Sequence, residues 1–367
     1  MATTGSSRSR LTHNCRSGAR TVSLNGQYAR VRPSDLSMLS DADRDKGAAA
    51  LDAAFSATDV RAVGPVAGGA SGAHVYQVVT DDGDFLMRIE GPRRPYRNPH
   101  QYTCLSAAAA AGIAPPVRHL DADAGVVIMP FLETVPLTEF PGGTAAVTSA
   151  AADLLVDLHQ LAPFPTFGDH LFDVGGVLTA LRFSGRVRSD QLPAHQEMLE
   201  EIRAVYPWDP ATFVSTHNDV NPTNLLYDGN RLWLIDWESA KRNDPFIDIA
   251  QVCVALATTA ELEDLVLRRV LSSPPDDLVR ARLLLAKQLV RLFTGAALVL
   301  VTSSPPEPVD LDAAMTMDEI NAAVGRGHLA AGQPATFRAI GAALLRRAHD
   351  VSASPAGTRA LTLLGQS

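Results

Sequence analysis

The chain has 367 residues, of which 46% are hydrophobic and 20% are charged, the balance of a soluble globular protein. At about 150 residues per domain, this length predicts two or three structural units. The net charge of −8 argues against a dedicated nucleic-acid binder, and we expect no nucleic-acid partner. The three cysteines, Cys15, Cys104 and Cys253, form neither a disulfide framework nor a metal knuckle, which favours a reducing, cytoplasmic setting.

The first 34 residues contain six arginines and no acidic side chain. No long apolar segment follows them, so a secretory signal is not expected. We interpret residues 1–45 as a disordered basic tail or an over-long start. An organelle transit peptide, which would share this composition, is the alternative.

The next part of the chain predicts a small lobe rich in β-structure over residues 46–133. Two β-like runs here are joined by Asp-Asp-Gly-Asp, a strong hairpin signal. The expected elements are a helix within 41–63, strands at 75–79 and 85–89, a helix at 104–111 and a strand at 126–129.

Residues 134–367 predict a larger, mostly helical lobe, because apolar residues recur there at spacings of three and four. Its most apolar stretch, 283–301, contains Lys287 and Arg291. The uninterrupted part is too short to span a bilayer, so we expect a buried helix and no membrane insertion. The expected helices are 145–161, 249–257, 261–271, 278–301 and 337–351, with a β interruption at 224–236.

One stretch in the middle of the larger lobe carries side chains suited to chemistry. Asp-Gly-Asn at 228–230 predicts a turn between two apolar runs. Folding the runs symmetrically about its glycine places Asn224 opposite Leu234, at a diagonal distance of ~7–8 Å from Asp236. Their oxygens suit Mg²⁺, and the nearby carboxylate of Asp219 is left unliganded. These groups are the minimum set for phosphoryl transfer to a hydroxyl.

Other interpretations of this stretch explain less. Asp-Val-Asn-Pro-Thr-Asn at 219–224 lacks the sixth-position glycine and the twelfth-position glutamate of a calcium loop. An isolated Asn-Pro turn followed by a surface hairpin would explain each piece but not their combination. His217 is interpreted as a residue that braces the loop, because the neighbouring Asp219 already fills the proton-accepting role.

The spacing of these residues resembles the aminoglycoside phosphotransferase and choline kinase family, which has a protein-kinase-like fold. The matching features are His-x-Asp at 217–219, Asn224, Ile-Asp-Trp at 235–237 and Asn-Asp-Pro-Phe-Ile-Asp at 243–248. The resemblance implies an α+β, bilobal fold with a β-rich N-lobe and a helical C-lobe. It further implies ATP and Mg²⁺ as cofactors and a small-molecule hydroxyl as acceptor. In these expected roles Asp219 is catalytic, and Asn224 and Asp236 hold the metal.

A segment of small residues, 68–73, precedes the first predicted hairpin. It lacks the lysine of a Walker A loop and the spacing of a Rossmann turn, so alone it is a weak signal. Beside the family resemblance it is interpreted as a phosphate-covering loop, in which backbone N–H groups approach the nucleotide. The candidate contacts are Gly69, Ser71, Gly72 and Ala73.

The next strand is expected to supply a cation for the phosphates. Arg88 alternates with apolar neighbours and therefore points to the opposite face of the sheet from them. The family normally provides a glutamate on the following helix to hold this cation, but no acidic residue occurs between Glu90 and Asp121. The expected position falls near Gln101, and Glu90 is the other candidate partner.

Residues 127–133 are expected to link the lobes and, by the same resemblance, to bind adenine through backbone groups. Met129, Phe131 and Leu132 are the candidates. Because Pro130 has no N–H group, the donor must be Phe131 or Leu132.

The acceptor is less determined by the sequence. Trp237 beside Glu238 offers an aromatic ring and a carboxylate, which suit an ammonium group and favour a choline-like amino alcohol. The Ser-Gly-Ala sequence at 71–73 instead resembles the corresponding loop of enzymes that act on aminoglycosides or related antibiotics. An inactive, nucleotide-binding kinase-like scaffold is the alternative from another class, because the helix glutamate is missing.

Overall fold

The β-branched and aromatic runs in the first third of the chain pair into one antiparallel sheet. The computed structural model describes residues 36–56, 59–66, 72–91, 98–271, 273–302 and 307–366. The strands are β1 Val60–Pro65, β2 His74–Thr80, β3 Gly83–Ile89, β4 His119–Asp121 and β5 Val126–Pro130, in the order β1-β2-β3-β5-β4. The turn between β2 and β3 is the hairpin that the sequence predicts.

One face of this sheet forms the core of the N-lobe. Met87 and Ile89 are fully buried there, under helix α1 (Arg44–Ala54). Leu36 and Leu39 are buried in the same core, although both fall within the segment predicted as a tail. The described part of the chain thus begins inside the predicted tail, with two residues that pack in the N-lobe core.

The rest of the chain forms the helical C-lobe around a second, larger core. Helix α2 (Gln101–Ala110) follows the sheet strand β3 but buries several side chains in this second core. The C-lobe helices are α3 Gly143–His159, α4 His170–Ser184, α5 Pro193–Val205, α6 Pro245–Ala255, α7 Ala260–Leu271, α8 Asp277–Val301, α9 Met317–Gly325, α10 Pro334–Ser352 and α11 Pro355–Gly365.

Helix α8 is the central helix of the C-lobe. By length and composition it could cross a membrane, yet 56% of its most apolar part is buried inside the fold. It packs on α4, α6, α10 and α11. Gly295 of α8 faces Gly341 of α10 so closely that a Cβ at Gly295 would lie 2.9 Å from the carbonyl oxygen of Gly341. The predicted buried helix is thus observed.

Two short strand pairs position the polar residues of the site. They are β6 (Val214–Thr216) with β9 (Lys241–Asn243), and β7 (Leu225–Tyr227) with β8 (Leu232–Leu234). Leu225 pairs with Leu234, so Asn224 faces Ile235 and the predicted register is wrong by one residue. The reason is that the Asp228 carboxylate accepts the N–H groups of residues 230 and 231, which makes a four-residue turn.

Candidate active site

The carboxylate of Asp219 is fixed in the loop between β6 and β7. Its Oδ1 accepts a hydrogen bond from Asn221 Nδ2 at 2.9 Å, and its Oδ2 accepts one from Asn224 Nδ2 at 2.8 Å. Asn224 Nδ2 also donates to the backbone carbonyl of Asp219 at 2.9 Å. Because the nitrogen of Asn224 is committed to Asp219, its Oδ1 is the atom left to face a cation.

Two side chains of helix α6 form hydrogen bonds with the backbone of this loop. The buried carboxylate of Asp248 accepts the N–H groups of His217 and Asn218, at 3.0 and 2.8 Å. Gln251 accepts the N–H of Val220 at 2.8 Å and donates to the carbonyl of Asn218 at 2.5 Å. The loop is therefore anchored through its main chain. Sequence reasoning missed this role, although a carboxylate inside an otherwise apolar helix was a usable signal.

His217 braces the loop as a neutral imidazole. Its Nε2–H donates to the carbonyl of Ile235 at 2.9 Å, and its Nδ1 accepts the N–H of Asp219 at 3.3 Å. Burial lowers the pKa of His217 to about 4, so one ring nitrogen donates and the other accepts at neutral pH. This agrees with the bracing role predicted for it.

Asp236 follows β8 in a left-handed backbone conformation, with φ of 64°. The N–H of Ile235 donates to the carbonyl of Asn224 at 3.0 Å, which ties the end of β8 to the loop. Burial and the charge of Glu238 raise the pKa of Asp236. Burial and, to a lesser extent, the charge of Asp236 raise the pKa of Asp219 to about 6. The two carboxylates thus repel each other in one buried cleft.

This excess of negative charge fits a divalent cation. Among the described residues no group of three His, Cys, Asp or Glu side chains could hold a metal, so a dedicated protein cage is absent there. Mg²⁺ is commonly held by one or two protein oxygens, with water and phosphate completing its shell. Asn224 Oδ1 and one carboxylate oxygen of Asp236 are suited to that arrangement.

Arg88 approaches the same cleft from the N-lobe. It donates through Nη2 to Glu238 across the cleft, and its Nη1 lies 3.4 Å from Glu90 Oε1. Gln101 of α2 donates through Nε2 to the same oxygen of Glu90. Of the two partners left open by the sequence, Glu90 therefore supplies the charge and Gln101 orients it.

Trp237 lies elsewhere than predicted. The residue is only 4% exposed, and its Nε1–H donates to the carbonyl of Leu234 at 3.2 Å. Its ring packs edge-on against His217, with 4.8 Å between the ring centroids. The tight turn after Asp236 directs the ring into the core, so in this structure it is not exposed for the contact with an ammonium group that the sequence predicts. Glu238 is engaged by Arg88 and does not form an aromatic-carboxylate pair with this ring.

The link between the lobes leaves one clear donor. The N–H of Phe131 already donates to the carbonyl of Asp84 at 2.9 Å, and Pro130 has none. Within the described parts of the chain, the N–H of Leu132 has no hydrogen-bond partner. Met129 pairs with Leu86 in the sheet, where its half-buried side chain can line the site predicted for adenine.

Only part of the small-residue segment can be located. Gly69 and Ser71 lie outside the described residues. Gly72 has a φ of 72°, and Ala73 leads directly into β2. A Cβ on Gly91 would lie 2.7 Å from the carbonyl oxygen of Gly72, so the segment ends packed against the chain that leaves β3.

Comparison with known proteins identifies the family. The model of the phosphotransferase enzyme family matches residues 62–284. This is more than half of the chain, and it covers nearly all of the sheet, the 217–224 loop and Asp236. The chain therefore belongs to this family, and the predicted class, a small-molecule phosphotransferase, is confirmed.

Individual relatives are more distant. Protein LicA of Haemophilus influenzae is 36% identical over 80 residues, which cover 22% of this chain and 28% of that protein. A choline/ethanolamine kinase family protein from Mesorhizobium loti has a similar structure, with a TM-score of 0.60, 20% identity, and coverage of 88% of this chain and 99% of the other. Choline kinase LicA from Streptococcus pneumoniae follows with a TM-score of 0.53, 17% identity, and coverage of 70% and 90%. At these identities the two structures confirm the bilobal fold.

Proposed function

We propose that the protein transfers the γ-phosphoryl group of ATP to a hydroxyl of a small, amine-bearing molecule, a choline-like amino alcohol. The observation that carries this proposal is the convergence of four groups in one cleft. Asp219, Asn224 and Asp236 come from the C-lobe, and Arg88 comes from the N-lobe. Phosphoryl transfer depends mainly on positioning and on charge stabilisation, and these groups supply both.

Asp219 is the group that aims the acceptor hydroxyl and takes its proton. The amides of Asn221 and Asn224 fix its two oxygens, so the carboxylate has a defined direction before the acceptor arrives. A pKa raised to about 6 brings this carboxylate closer to the range in which a general base is effective at neutral pH.

Asn224 and Asp236 would hold Mg²⁺. When bound, the ion would neutralise charge on the phosphates of ATP. Arg88 would contact the same phosphates, which requires it to leave Glu238. Glu90 lies two residues along the chain on the same side and keeps its contact with Arg88, so the guanidinium stays oriented during this exchange. Leu132 would donate its free N–H to the adenine.

The acceptor preference rests on charge. When Arg88 turns from Glu238 to the phosphates, the carboxylate of Glu238 is left without this partner beside Asp219, so the cleft can attract a cationic molecule even when Asp236 holds Mg²⁺. Likeness to choline kinase structures supports the same class. The charged pair of Arg88 and Glu90 weighs against an inactive scaffold, because the cation is held without the helix glutamate. We place this activity in the cytoplasm.

An acceptor screen tests the proposal. Purified protein is incubated with Mg²⁺-ATP and with choline, ethanolamine or an aminoglycoside, and the product is read by ³¹P NMR. We expect a new phosphate-ester signal with an amino alcohol. A signal with the aminoglycoside alone would indicate an antibiotic phosphotransferase, and ATP binding without any ester would indicate a scaffold.

A variant pair links that activity to the cleft. Asp236→Ala should abolish ester formation while the protein stays folded, because Asp236 acts at a strand end and not through packing. Asp157→Ala, an exposed carboxylate on α3, is the matched control and should behave as the wild type. Equal activity in the two variants would refute the assigned site.

A further inference from the structure

The C-lobe contains a second polar cavity, built by helices that contribute none of the cleft residues described above. It lies between the middle of α8 and the turn that joins α10 to α11, and its volume is about 310 Å³. Leu284, Val351 and Ala356 form apolar parts of its wall. Its polar lining includes Lys287, Arg291, Arg347 and Asp350.

Arg291 is the unusual member of this lining. It is 9% exposed, and its one hydrogen bond in the described structure runs from Nη1 to the neutral Gln288 Oε1, at 3.1 Å. No carboxylate lies within ion-pair distance of it among the described residues. Its Nε and Nη2 have no hydrogen-bond partner among the described residues and keep some exposure, and the residue lines the cavity. A buried, unpaired guanidinium is costly and is normally compensated by an anion.

The charged residues around Arg291 do not form an ion pair with it. Lys287 is already paired with Glu263, and Asp350 lies 3.8 Å from Arg346. Arg347 has no ion pair among the described residues. Burial and, to a lesser extent, the positive charge of Arg347 lower the pKa of Arg291 to about 10, although the carboxylate of Glu263 acts in the opposite direction. Two cations, Arg291 and Arg347, therefore line the cavity with one carboxylate, that of Asp350, and this carboxylate forms no ion pair with either of them among the described residues.

The first turn of α11 adds to the positive electrostatic potential in the cavity. Ser354 caps this 11-residue helix, and Ser354 and Ala356 both line the cavity. The N-terminal end of a helix carries a partial positive charge and unpaired N–H groups. Arginine forks match the geometry of phosphate oxygens in particular.

We propose that this cavity binds a small molecule that carries a phosphate monoester group. Arg291 and Arg347 hold the phosphate oxygens, and the first turn of α11 contributes the N–H of Ala356, because Pro355 has none and those of Gly357 and Thr358 donate to Ser354. A dianionic phosphate neutralises both guanidinium groups, whereas a single carboxylate neutralises one. The cavity is larger than a phosphate group alone, and its apolar wall suits a short organic body on the ester.

Thermal unfolding in the presence of inorganic phosphate tests this site, with chloride at equal ionic strength as the reference. In the wild type, phosphate at ten times its Kd should raise the folding equilibrium constant about 11-fold. Arg291→Met should abolish this increase, and it should leave the phosphate-free protein as stable as the wild type or more stable, because a buried charge is removed. Arg359→Gln, an exposed arginine of α11 outside the cavity, should respond as the wild type does.

Arg347→Met provides a second measurement that does not touch the core. Arg347 is exposed, so this variant should fold normally, and its affinity for phosphate should fall roughly 10- to 100-fold through loss of a charged hydrogen bond. Acetate serves as the carboxylate probe and should stabilise the wild type less than phosphate does.

Three results would overturn the proposal. The first is an equal response to phosphate in the wild type and in both cavity variants, since that would place phosphate in the cleft around Arg88. The second is a response to phosphate no larger than that to chloride. The third is stronger stabilisation by acetate, which would exclude the phosphate class.

Discussion

The C-lobe wall and the N-lobe wall of the cleft hold their polar groups in different ways. On the C-lobe side, Asp219 is fixed by two amides, and the main chain of its loop is bonded to Asp248 and Gln251 of α6. On the N-lobe side, Arg88 is held by Glu238 across the cleft. Under the proposed function, the first arrangement is ready before any substrate binds, whereas the second must open for the phosphates. Chemistry should therefore depend on the C-lobe wall and nucleotide affinity on the N-lobe wall.

Of the variants that test this difference between the two walls, Asp219→Asn should have the largest effect. Asparagine nearly keeps the shape but cannot take a proton as a carboxylate does, so kcat should fall by ~10²–10⁴-fold. Affinity for a non-hydrolysable ATP analogue, measured by isothermal titration calorimetry, should stay near the wild-type value. Asp157→Asn is the matched control. A loss of nucleotide binding would mean that Asp219 serves as a metal ligand.

Asp248→Asn tests whether the loop depends on its buried acceptor. Asp248 accepts the N–H groups of His217 and Asn218 on different oxygens and also contacts His159 Nε2 at 3.2 Å. The amide oxygen can replace only one carboxylate oxygen, and the NH₂ of the amide opposes the donor at the other position. Losing one charge-assisted hydrogen bond and leaving one buried donor unpaired should cost roughly 3–5 kcal/mol of unfolding free energy. Urea denaturation measures the loss. A cost within 1 kcal/mol of that for Asp157→Asn would show that the loop does not depend on Asp248.

The buried histidines of the C-lobe set an acid limit on its stability. Burial lowers the pKa of His170 to about 3, while the unfolded chain binds this proton near pH ~6.5. The stability that the fold keeps by burying a neutral His170 is therefore complete above pH ~6.5. It is lost as the pH falls toward the pKa of His170 in the folded state. At pH 5 the loss should be about 2 kcal/mol.

His170→Phe should remove that part of the pH dependence, because His170 packs among aromatic rings, with centroids 6.3 Å from Trp208 and 5.8 Å from Phe293. The measurement is urea denaturation at pH 7.5 and at pH 5. His328→Phe, at an exposed position, should keep the wild-type difference between the two pH values. An unchanged difference in His170→Phe would contradict the neutral, buried histidine.

The smallest expected effect lies on the N-lobe wall. Glu90→Gln should raise the KM for ATP roughly 5-fold, since Arg88 loses one charged partner worth about 1 kcal/mol, with kcat little changed. The double variant Glu90→Gln/Gln101→Glu exchanges the carboxylate and the amide and should recover the wild-type KM. A double variant as impaired as the single one would mean that the two side chains act through packing alone.

Much of this site follows from local sequence. The turn at 228–230 and the separation of Asn224 from Asp236 predict that both lie near Asp219, because a hairpin brings its two ends together. The register was missed by one residue because the side chain of Asp228 caps the turn, which symmetric folding does not consider. The buried helix 283–301 followed from its apolar spacing.

Other features depend on tertiary structure. Asp248 acts on backbone N–H groups 30 and 31 residues away, and such contacts leave no pattern in the side chains of the loop. The inward direction of Trp237 follows from the left-handed backbone of Asp236, which local propensity does not predict for an aspartate in that position. The pairing of Gln101 with Glu90 required knowledge of where α2 packs.

The position of Glu90 has a consequence for control of the enzyme. In protein kinases the partner of the phosphate-binding cation sits on a mobile helix, and moving that helix turns the enzyme off. Here the cation and its carboxylate lie two residues apart on one stretch of chain, while α2 is buried against the C-lobe core. Moving the helix would remove the hydrogen bond from Gln101 to Glu90 but would leave the two charged residues side by side on the chain. If Arg88 binds phosphates as proposed, we therefore expect helix movement to weaken the ion pair without breaking it.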